Sequence, residues 1–209
     1  KLISAYILDS NIEVRNLAGD ILIKMGAPAA EHLLEYLSHH DHDVRKFACD
    51  ILGLLDTRQY ADYIKPLLKD EDENAVQSAI EALGNYQDES SVELLIEIYD
   101  STPDQKPNVI EALGKIGSQA AIDKLLHALT HETDEFLKTA VIDALSASCE
   151  DIDVARKLLS KIEEVSEATQ LIVLKTVVAI AFRLGESIEL PQHLRYLSYK
   201  ALFDNDDDV

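Results

Sequence analysis

Two short groups of residues in this chain are rich in potential metal ligands. The first is the run His39-His40-Asp41-His42, and the second is the pair His127 and His131, four residues apart. A zinc site takes three or four such ligands from a fixed frame. Neighbouring residues of a turn point in different directions, and two histidines supply only half of a site. We therefore predict no metal site in either group. The first group should form a solvated turn in which Asp41 or Asp43 caps the next helix. The second should lie at the carboxyl end of a helix, where a cationic histidine is favoured.

The acidic segment that begins at Asp70 has nearly the spacing of an EF-hand calcium loop. Carboxylates and an amide occupy loop positions one, three and five, and Glu81 stands at position twelve. Position six of such a loop requires glycine for its sharp turn, but this chain has Ala75 there. Residues 75–83 also follow a helical apolar pattern. We therefore expect an acidic helix amino end in place of a calcium loop.

Carboxylates also recur at the seventh position of five successive segments, which predicts a solvated ridge rather than an acid–base pair. No Ser-His-Asp, phosphate-loop or dinucleotide pattern occurs in the sequence. We predict no catalytic residue and no cofactor, so the chain is not expected to be an enzyme. The ridge residues are Asp20, Asp50, Glu81, Glu111 and Asp143.

An internal repeat carries all of these residues. Segments that begin at Val14, Val44, Ala75, Gln105 and Leu137 follow one another at offsets of 30–32 residues, and a weaker sixth copy lies near residue 173. Each has apolar residues at its fifth, eighth and ninth positions, which is the stripe of an α-helix. A second amphipathic segment follows most copies. Neither helix can bury its stripe alone, so the helix pairs must stack.

Most glycines of the chain fall at or near the ends of the predicted first helices. We interpret them as residues that end a helix in the left-handed conformation. The glycines concerned are Gly26, Gly53, Gly84, Gly114, Gly117 and Gly185.

The recurring pattern D-x-x-V-R-x-x-A-x-x-x-L-G, best preserved from Asp41 to Gly53, resembles the short HEAT repeats of the phycobilisome-lyase type. The resemblance covers roughly residues 2–185. It implies an all-α fold, a right-handed α-α superhelix (α-solenoid) of about six helix pairs. It also implies a stacked Asp–Arg ladder, which should weaken after the second copy because Arg15 and Arg45 are replaced in later copies by Val76, Lys106 and Lys138.

The repeat array is predicted to span residues 1–203 and to begin inside a preceding repeat. Residues 2–9 align at an offset of 30 with residues 32–39, in the second helix of a pair. We therefore expect the chain to be a fragment of a larger protein. Residues 194–203 are a candidate closing helix, and the acidic residues 204–209 are predicted to be a disordered tail.

Two enzyme families of similar architecture are excluded by the residues present. Deoxyhypusine hydroxylases hold two irons through His-Glu pairs near the start of several first helices, whereas the single His-Glu pair here, His131-Glu132, lies in a predicted turn. HEAT-like DNA glycosylases need a basic groove with aromatic residues. This chain has 39 acids against 19 lysines and arginines, a net charge of −20 and no tryptophan. That charge argues against both nucleic acid and an anionic membrane as partners.

In the HEAT resemblance the second helices line the concave face, and here their outward positions are mostly acidic. An extended acidic surface suits a basic segment of a partner protein. The predicted partner-binding residues are Glu31, Glu35, Asp62, Glu93, Glu97, Asp123 and His127.

We predict a non-catalytic protein–protein interaction scaffold or regulatory module. Two lone cysteines, Cys49 and Cys149, favour a reducing compartment, so a cytoplasmic location is expected. The alternative is an accessory enzyme or chaperone-like subunit resembling bilin lyases. Self-association through the ends of the array also stays open.

Overall fold

The structure of the chain, a computed structural model, describes residues 11–148 and 151–194. Within these ranges every regular element is helical, so the predicted all-α class is confirmed. The α-helices are α1 (Ile12–Met25), α2 (Ala27–Leu33), α3 (His42–Leu54), α4 (Ala61–Ile64), α5 (Glu73–Asn85), α6 (Val92–Ser101), α7 (Lys106–Ile116), α8 (Gln119–His131), α9 (Glu135–Ala147), α10 (Ile152–Ser160) and α11 (Glu167–Leu184).

The second segments of the first two repeats are not continuous α-helices. In the first, α2 passes into the 3-10 segment Leu34–Ser38, and in the second, α4 passes into Lys65–Lys69. Pro66 near the start of the latter lacks the N–H that an α-type hydrogen bond needs. Further single 3-10 turns lead into or follow the helices at Arg58–Tyr60, Glu89–Ser91, Pro103–Gln105 and Ile162–Glu164.

Consecutive repeats stack through their helices, as the sequence predicts. By its contacts the chain divides into two compact units, Lys1–Ala112 and Leu113–Val209. In the first unit α3 packs against both α1 and α5. In the second unit α9 packs against α8 and α11, and α10 packs against α11. The described residues therefore contain five helix pairs and the first helix of a sixth.

Several sequence predictions concern residues outside the described part of the chain. These are the alignment of residues 2–9 with a preceding repeat, the closing helix after Leu194 and the acidic tail 204–209. They stay predictions. In the part that is described, no helix is both long enough and apolar enough to cross a bilayer.

Aspartates cap three of the described first helices, α3, α5 and α9. The Asp41 carboxylate accepts a hydrogen bond from the Asp43 N–H (3.0 Å), which caps α3. Asp134 caps α9 in the same way, through the Phe136 N–H at 2.8 Å. Such caps satisfy backbone donors that the first turn of a helix leaves unpaired. Part of the large negative charge therefore serves the helices themselves.

The prediction that glycines end the helices is correct for three positions and wrong for three others. Gly26, Gly117 and Gly185 have positive φ, between +63° and +69°, which glycine adopts without strain, and Gly185 has the full left-handed helical conformation. The other three, by contrast, lie within α3, α5 and α7, where each faces the first helix of the next repeat. They are Gly53, Gly84 and Gly114.

These helical glycines let neighbouring first helices approach unusually closely. A Cβ placed on Gly53 would lie 2.8 Å from the Cβ of Ala82, and one on Gly84 would lie 2.8 Å from the Cα of Ala112. Both distances are shorter than van der Waals contact, and the second involves backbone. Each glycine is therefore required by the alanine that faces it in the following repeat.

Replacing Gly84 with alanine should destabilise the protein, although alanine ordinarily favours a helix over glycine by about 1 kcal/mol. The added Cβ would force α5 and α7 apart, and we expect the free energy of unfolding to fall by about 1–3 kcal/mol. Urea unfolding followed by circular dichroism measures this change.

Gly19→Ala is the control. A Cβ placed on Gly19 would lie 3.2 Å from its nearest neighbour, the Cζ atom of Phe47, which is the end of a side chain that can turn aside. That variant should remain close to the parent in stability. If Gly84→Ala were equally harmless, the close approach of the two helices would not limit their packing.

Candidate functional site

The histidine-rich run at residues 39–42 lies in the turn before α3 and in its first turn, where some of its polar groups form hydrogen bonds with nearby backbone. The ring Nδ1 of His39 accepts a hydrogen bond from the Asp41 N–H (3.1 Å), and Asp41 in turn caps α3. His42 lies in the first turn of α3, with its Nδ1 3.4 Å from a carboxylate oxygen of Asp72. The predicted capping turn is confirmed.

The acidic segment at residues 70–75 is split between an ion pair and a helix cap. The Arg45 guanidinium donates two hydrogen bonds to the Asp70 carboxylate, at 2.6 and 2.7 Å, and both side chains are at least nine-tenths buried. The Asp72 carboxylate accepts from the Asn74 and Ala75 N–H groups and begins α5. The predicted acidic helix amino end is therefore correct.

The buried ion pair also fixes the turn that precedes it. Arg45 donates further hydrogen bonds to the carbonyl oxygens of His39 (2.8 Å) and His40 (3.2 Å). The guanidinium holds the pKa of Asp70 below its ordinary value, against the burial that would raise it. One arginine thus joins the turn of one repeat to the turn of the next.

This pair is the one rung of the Asp–Arg ladder found in the described residues. Twenty-five residues separate Arg45 from Asp70, and the same separation from Arg15 leads to His40, which offers no carboxylate. Arg15 accordingly makes no ion pair with any described residue. The ladder is therefore weaker than predicted already in the first copy.

The second histidine pair lies at the carboxyl end of α8. The rings of His127 and His131 are stacked, with centroids 3.8 Å apart and planes at 7°. The His131 Nδ1 lies 2.9 Å from the carbonyl oxygen of His127, within hydrogen-bonding distance. Residues 11–148 and 151–194 contain no group of three or more ligand-type side chains placed to hold a metal ion.

The predicted partner-binding acids of the first unit are all exposed, but they differ in their neighbours. Asp62 is paired with Lys65 (2.6 Å), which also lies 3.3 Å from Asp88. By contrast, the carboxylates of the other four form no ion pair with any described residue. We call these four residues the free acidic set: Glu31 and Glu35 on the first repeat, and Glu93 and Glu97 on α6.

Lys65 is the polar residue whose role the sequence analysis missed. It donates hydrogen bonds to Asp62 and to the Ser90 hydroxyl (2.7 Å) and is mostly buried by its neighbours. Burial opposes its charge, but the two nearby carboxylates outweigh that effect and raise its pKa. Its position three residues after Asp62 was the available signal, because residues three apart on a helix are neighbours.

The predicted residues of the second unit lie on α8. Asp123 accepts a hydrogen bond from the Gln119 side chain (2.6 Å) and lies 3.8 Å from the Lys157 ammonium. His127 is exposed and stacked on its neighbour one turn later. In this unit the predicted acidic surface is therefore partly neutralised.

Comparison with known proteins supports the repeat pattern. Residues 30–106 match the family model described as HEAT repeats, and residues 108–131 match the PBS lyase HEAT-like repeat. The complex of CpcE and CpcF of phycocyanin lyase from Nostoc sp. PCC7120 has a similar fold, with a TM-score of 0.58 at 18% identity. The similarity covers 100% of this chain and 88% of that chain. No curated protein matches the sequence.

Removing the arginine of the buried pair should strongly destabilise the fold. Arg45→Met leaves the Asp70 carboxylate buried without a cation, and we expect a loss of about 3–5 kcal/mol at pH 7. The pKa of Asp70 is depressed in the folded state, so its stabilising contribution is complete above its unfolded value of about 4 and is lost as pH falls towards the depressed value. The difference between parent and variant should therefore shrink below about pH 4.

Urea unfolding at pH 7 and at pH 3.5 measures this behaviour. Lys46→Met is the control, because Lys46 pairs with Asp50 at the surface (2.7 Å), and such a pair contributes at most about 0.5 kcal/mol. Equal effects of the two substitutions would contradict the assignment of Arg45 as the residue that joins the repeats.

Proposed function

We propose that this HEAT-like repeat protein is a non-catalytic interaction module that binds a basic segment of a partner protein through its free acidic set. The observation that supports this most directly is that Glu93 and Glu97 are exposed, in contrast to acids such as Asp62 and Asp70, which are already paired with a cation. The carboxylates of Glu93 and Glu97 lie four residues apart on α6, so they occupy neighbouring positions on one side of the helix. Neither has a cation among the described residues to neutralise it.

Most other candidate residues already have a structural task, which favours binding over catalysis. Asp41 and Asp72 cap helices, and Asp70 is held by Arg45. A catalytic carboxylate would need to reach a substrate, whereas these groups are committed to the backbone or to an ion pair. A cytoplasmic location stays a prediction, supported by the buried free thiol of Cys49.

A positively charged segment with lysines or arginines at helical spacing is the partner that the free acidic set suits. Complementary charge increases the rate of encounter and fixes the register of a complex, and both effects weaken as salt screens the charges. The net charge of −20 attracts any basic peptide in a general way. A test must therefore separate the local set from the total charge.

Reversing Glu93 and Glu97 to lysine should weaken binding of a fluorescent Lys-rich helical peptide by about tenfold at low salt, and less at high salt. The matched control reverses Asp20 and Glu81, two exposed acids of the first-helix ridge, which changes the net charge equally. Fluorescence anisotropy measures both affinities. Equal losses in the two variants would show that only the net charge attracts the peptide.

The second candidate is an accessory subunit of the bilin lyase type. Its support is the similarity in fold to the phycocyanin lyase complex over the whole chain. The second unit also has an open hollow of about 540 Å³, within the size range of ligand sites. Arg156 lines this hollow and would be the cation for a tetrapyrrole carboxylate, although it already pairs with Asp153 (2.6 Å).

Titration with biliverdin, a linear tetrapyrrole, tests this candidate. Binding at the hollow predicts a saturable change in the absorbance spectrum that Arg156→Ala weakens severalfold. The exposed Arg58, paired loosely with Asp56 at 3.7 Å, provides the control substitution Arg58→Ala. A spectrum that does not change on addition of the protein would exclude the candidate.

A further inference from the structure

The aromatic ring of Tyr63, on α4, lies in solvent. Tyr63 is 57% exposed, whereas Ala61 and Ile64 of the same helix are buried. Its ring meets that of Tyr60 edge to face, with centroids 6.0 Å apart and planes at 71°. Among the described residues no cation lies over the Tyr63 ring. One edge contact thus orients this ring and leaves it accessible to a partner.

The repeat pattern sets Tyr63 in register with α6. Two buried positions of α4 recur in α6 at an offset of 31 residues, and the same offset aligns Tyr63 with Leu94. Leu94 lies between Glu93 and Glu97, the free acids of that helix. Tyr63 therefore lies on the preceding second segment at a level between these two carboxylates. The aligned buried pairs are Ala61 with Val92 and Ile64 with Leu95.

The two second segments are neighbours in the structure. The Lys65 ammonium, two residues after Tyr63, donates a hydrogen bond to the Ser90 hydroxyl just before α6 (2.7 Å). Packed helices lie about 8–10 Å apart, and an α-helix is about 10 Å across. A partner helix that lies over the groove between α4 and α6 can therefore reach both Tyr63 and the two glutamates.

The face of a tyrosine ring attracts cations, because its π-system carries partial negative charge there. The first unit already contains one such contact, in which the Lys106 ammonium lies 5.0 Å from the centroid of the Tyr99 ring. Lys65 does not serve Tyr63 in this way, since its ammonium is held by Asp62 (2.6 Å). The accessible ring of Tyr63, next to unpaired acids, is therefore complementary to a cation of a partner.

Arginine fits this position better than lysine or an apolar side chain. Its planar guanidinium stacks on a ring face and is more weakly hydrated than an ammonium. An apolar side chain would cover the ring but would leave the negative charge beside it unbalanced, since Glu93 and Glu97 have no cation among the described residues.

We propose that Tyr63 binds an arginine of the partner's basic helix by a cation–π contact, and that this arginine lies between the two lysines that meet Glu93 and Glu97. The lysines are four residues apart, so an arginine one or three residues after the first lysine projects to one side of them, towards α4. This contact rests on the proposed function, because it belongs to the same basic segment, but it adds a sequence requirement that net charge does not impose.

Fluorescent helical peptides test the contact with the whole chain. Each pair of peptides has lysines four residues apart, and between them one peptide has arginine and the other has citrulline, its uncharged analogue of the same shape. One pair has this residue one position after the first lysine, and a second pair has it three positions after. In one of the two placements Tyr63→Leu should weaken binding of the arginine peptide by about two- to fivefold and leave the citrulline peptide unchanged. Tyr63→Phe should bind as the parent does, because the ring face remains.

Phe136→Leu is the matched control, because Phe136 is an aromatic residue of similar exposure (69%) on α9, in the second unit. It should leave all affinities unchanged. Equal losses of the arginine and citrulline peptides on Tyr63→Leu, or no loss in either placement, would overturn the proposal. If reversal of Glu93 and Glu97 still weakens binding in that case, the proposed function stands without this contact. If that reversal also has no effect, both fail.

Nuclear magnetic resonance gives a measurement that does not depend on net charge. In a peptide with an isotope-labelled arginine, the Cδ protons should shift upfield on binding, because they enter the shielding region over the tyrosine ring. The shift should disappear with Tyr63→Leu at a saturating concentration and should remain with Phe136→Leu. A shift that Tyr63→Leu retains would assign the arginine to another ring and overturn the proposal.

Discussion

The close contact between consecutive first helices is the constraint on which the rest of the structure depends. A glycine of one helix must meet an alanine of the next, or large side chains must lie over a glycine, because added atoms at these points would overlap with backbone or packed side chains. Once that spacing is set, the core stripe of each first helix is directed towards its own second segment. The seventh position of each first helix, in contrast, faces solvent, and the exposed residues Asp20 and Glu81 occupy it.

The existence of the helices was predictable because the apolar period is strong and repeats itself within the chain. The caps were predictable for the same reason, since an aspartate before an apolar period is a standard helix start. The role of Gly53 was not predictable in that way, because its neighbour Ala82 lies 29 residues later and only the stacking brings them together. The sequence showed a small residue near a helix end but not what it faces.

The candidate site shows a similar division between what local sequence determines and what packing adds. The predicted residues Glu93 and Glu97 are exposed, as their place outside the apolar stripe implied. The neutralisation of Asp62 by Lys65 and the capture of Asp70 by Arg45 depend on contacts at the turns. Such contacts sort the acids into three groups: caps, paired carboxylates and unpaired ones. Only the last group carries charge that a partner can use without displacing an existing cation or competing with a helix cap.

The change from α to 3-10 geometry within the first repeat alters the spacing of charge along this surface. Glu93 and Glu97 lie within one α-helix, so they are separated by about 6 Å along the axis and about 40° around it. Glu31 lies in α2 but Glu35 lies in the 3-10 segment, where the rise and turn per residue are larger. That pair is therefore separated by about 7 Å and about 80°. The first and third repeats therefore space their two carboxylates differently. A basic helix with evenly spaced lysines can match only one of these two carboxylate pairs.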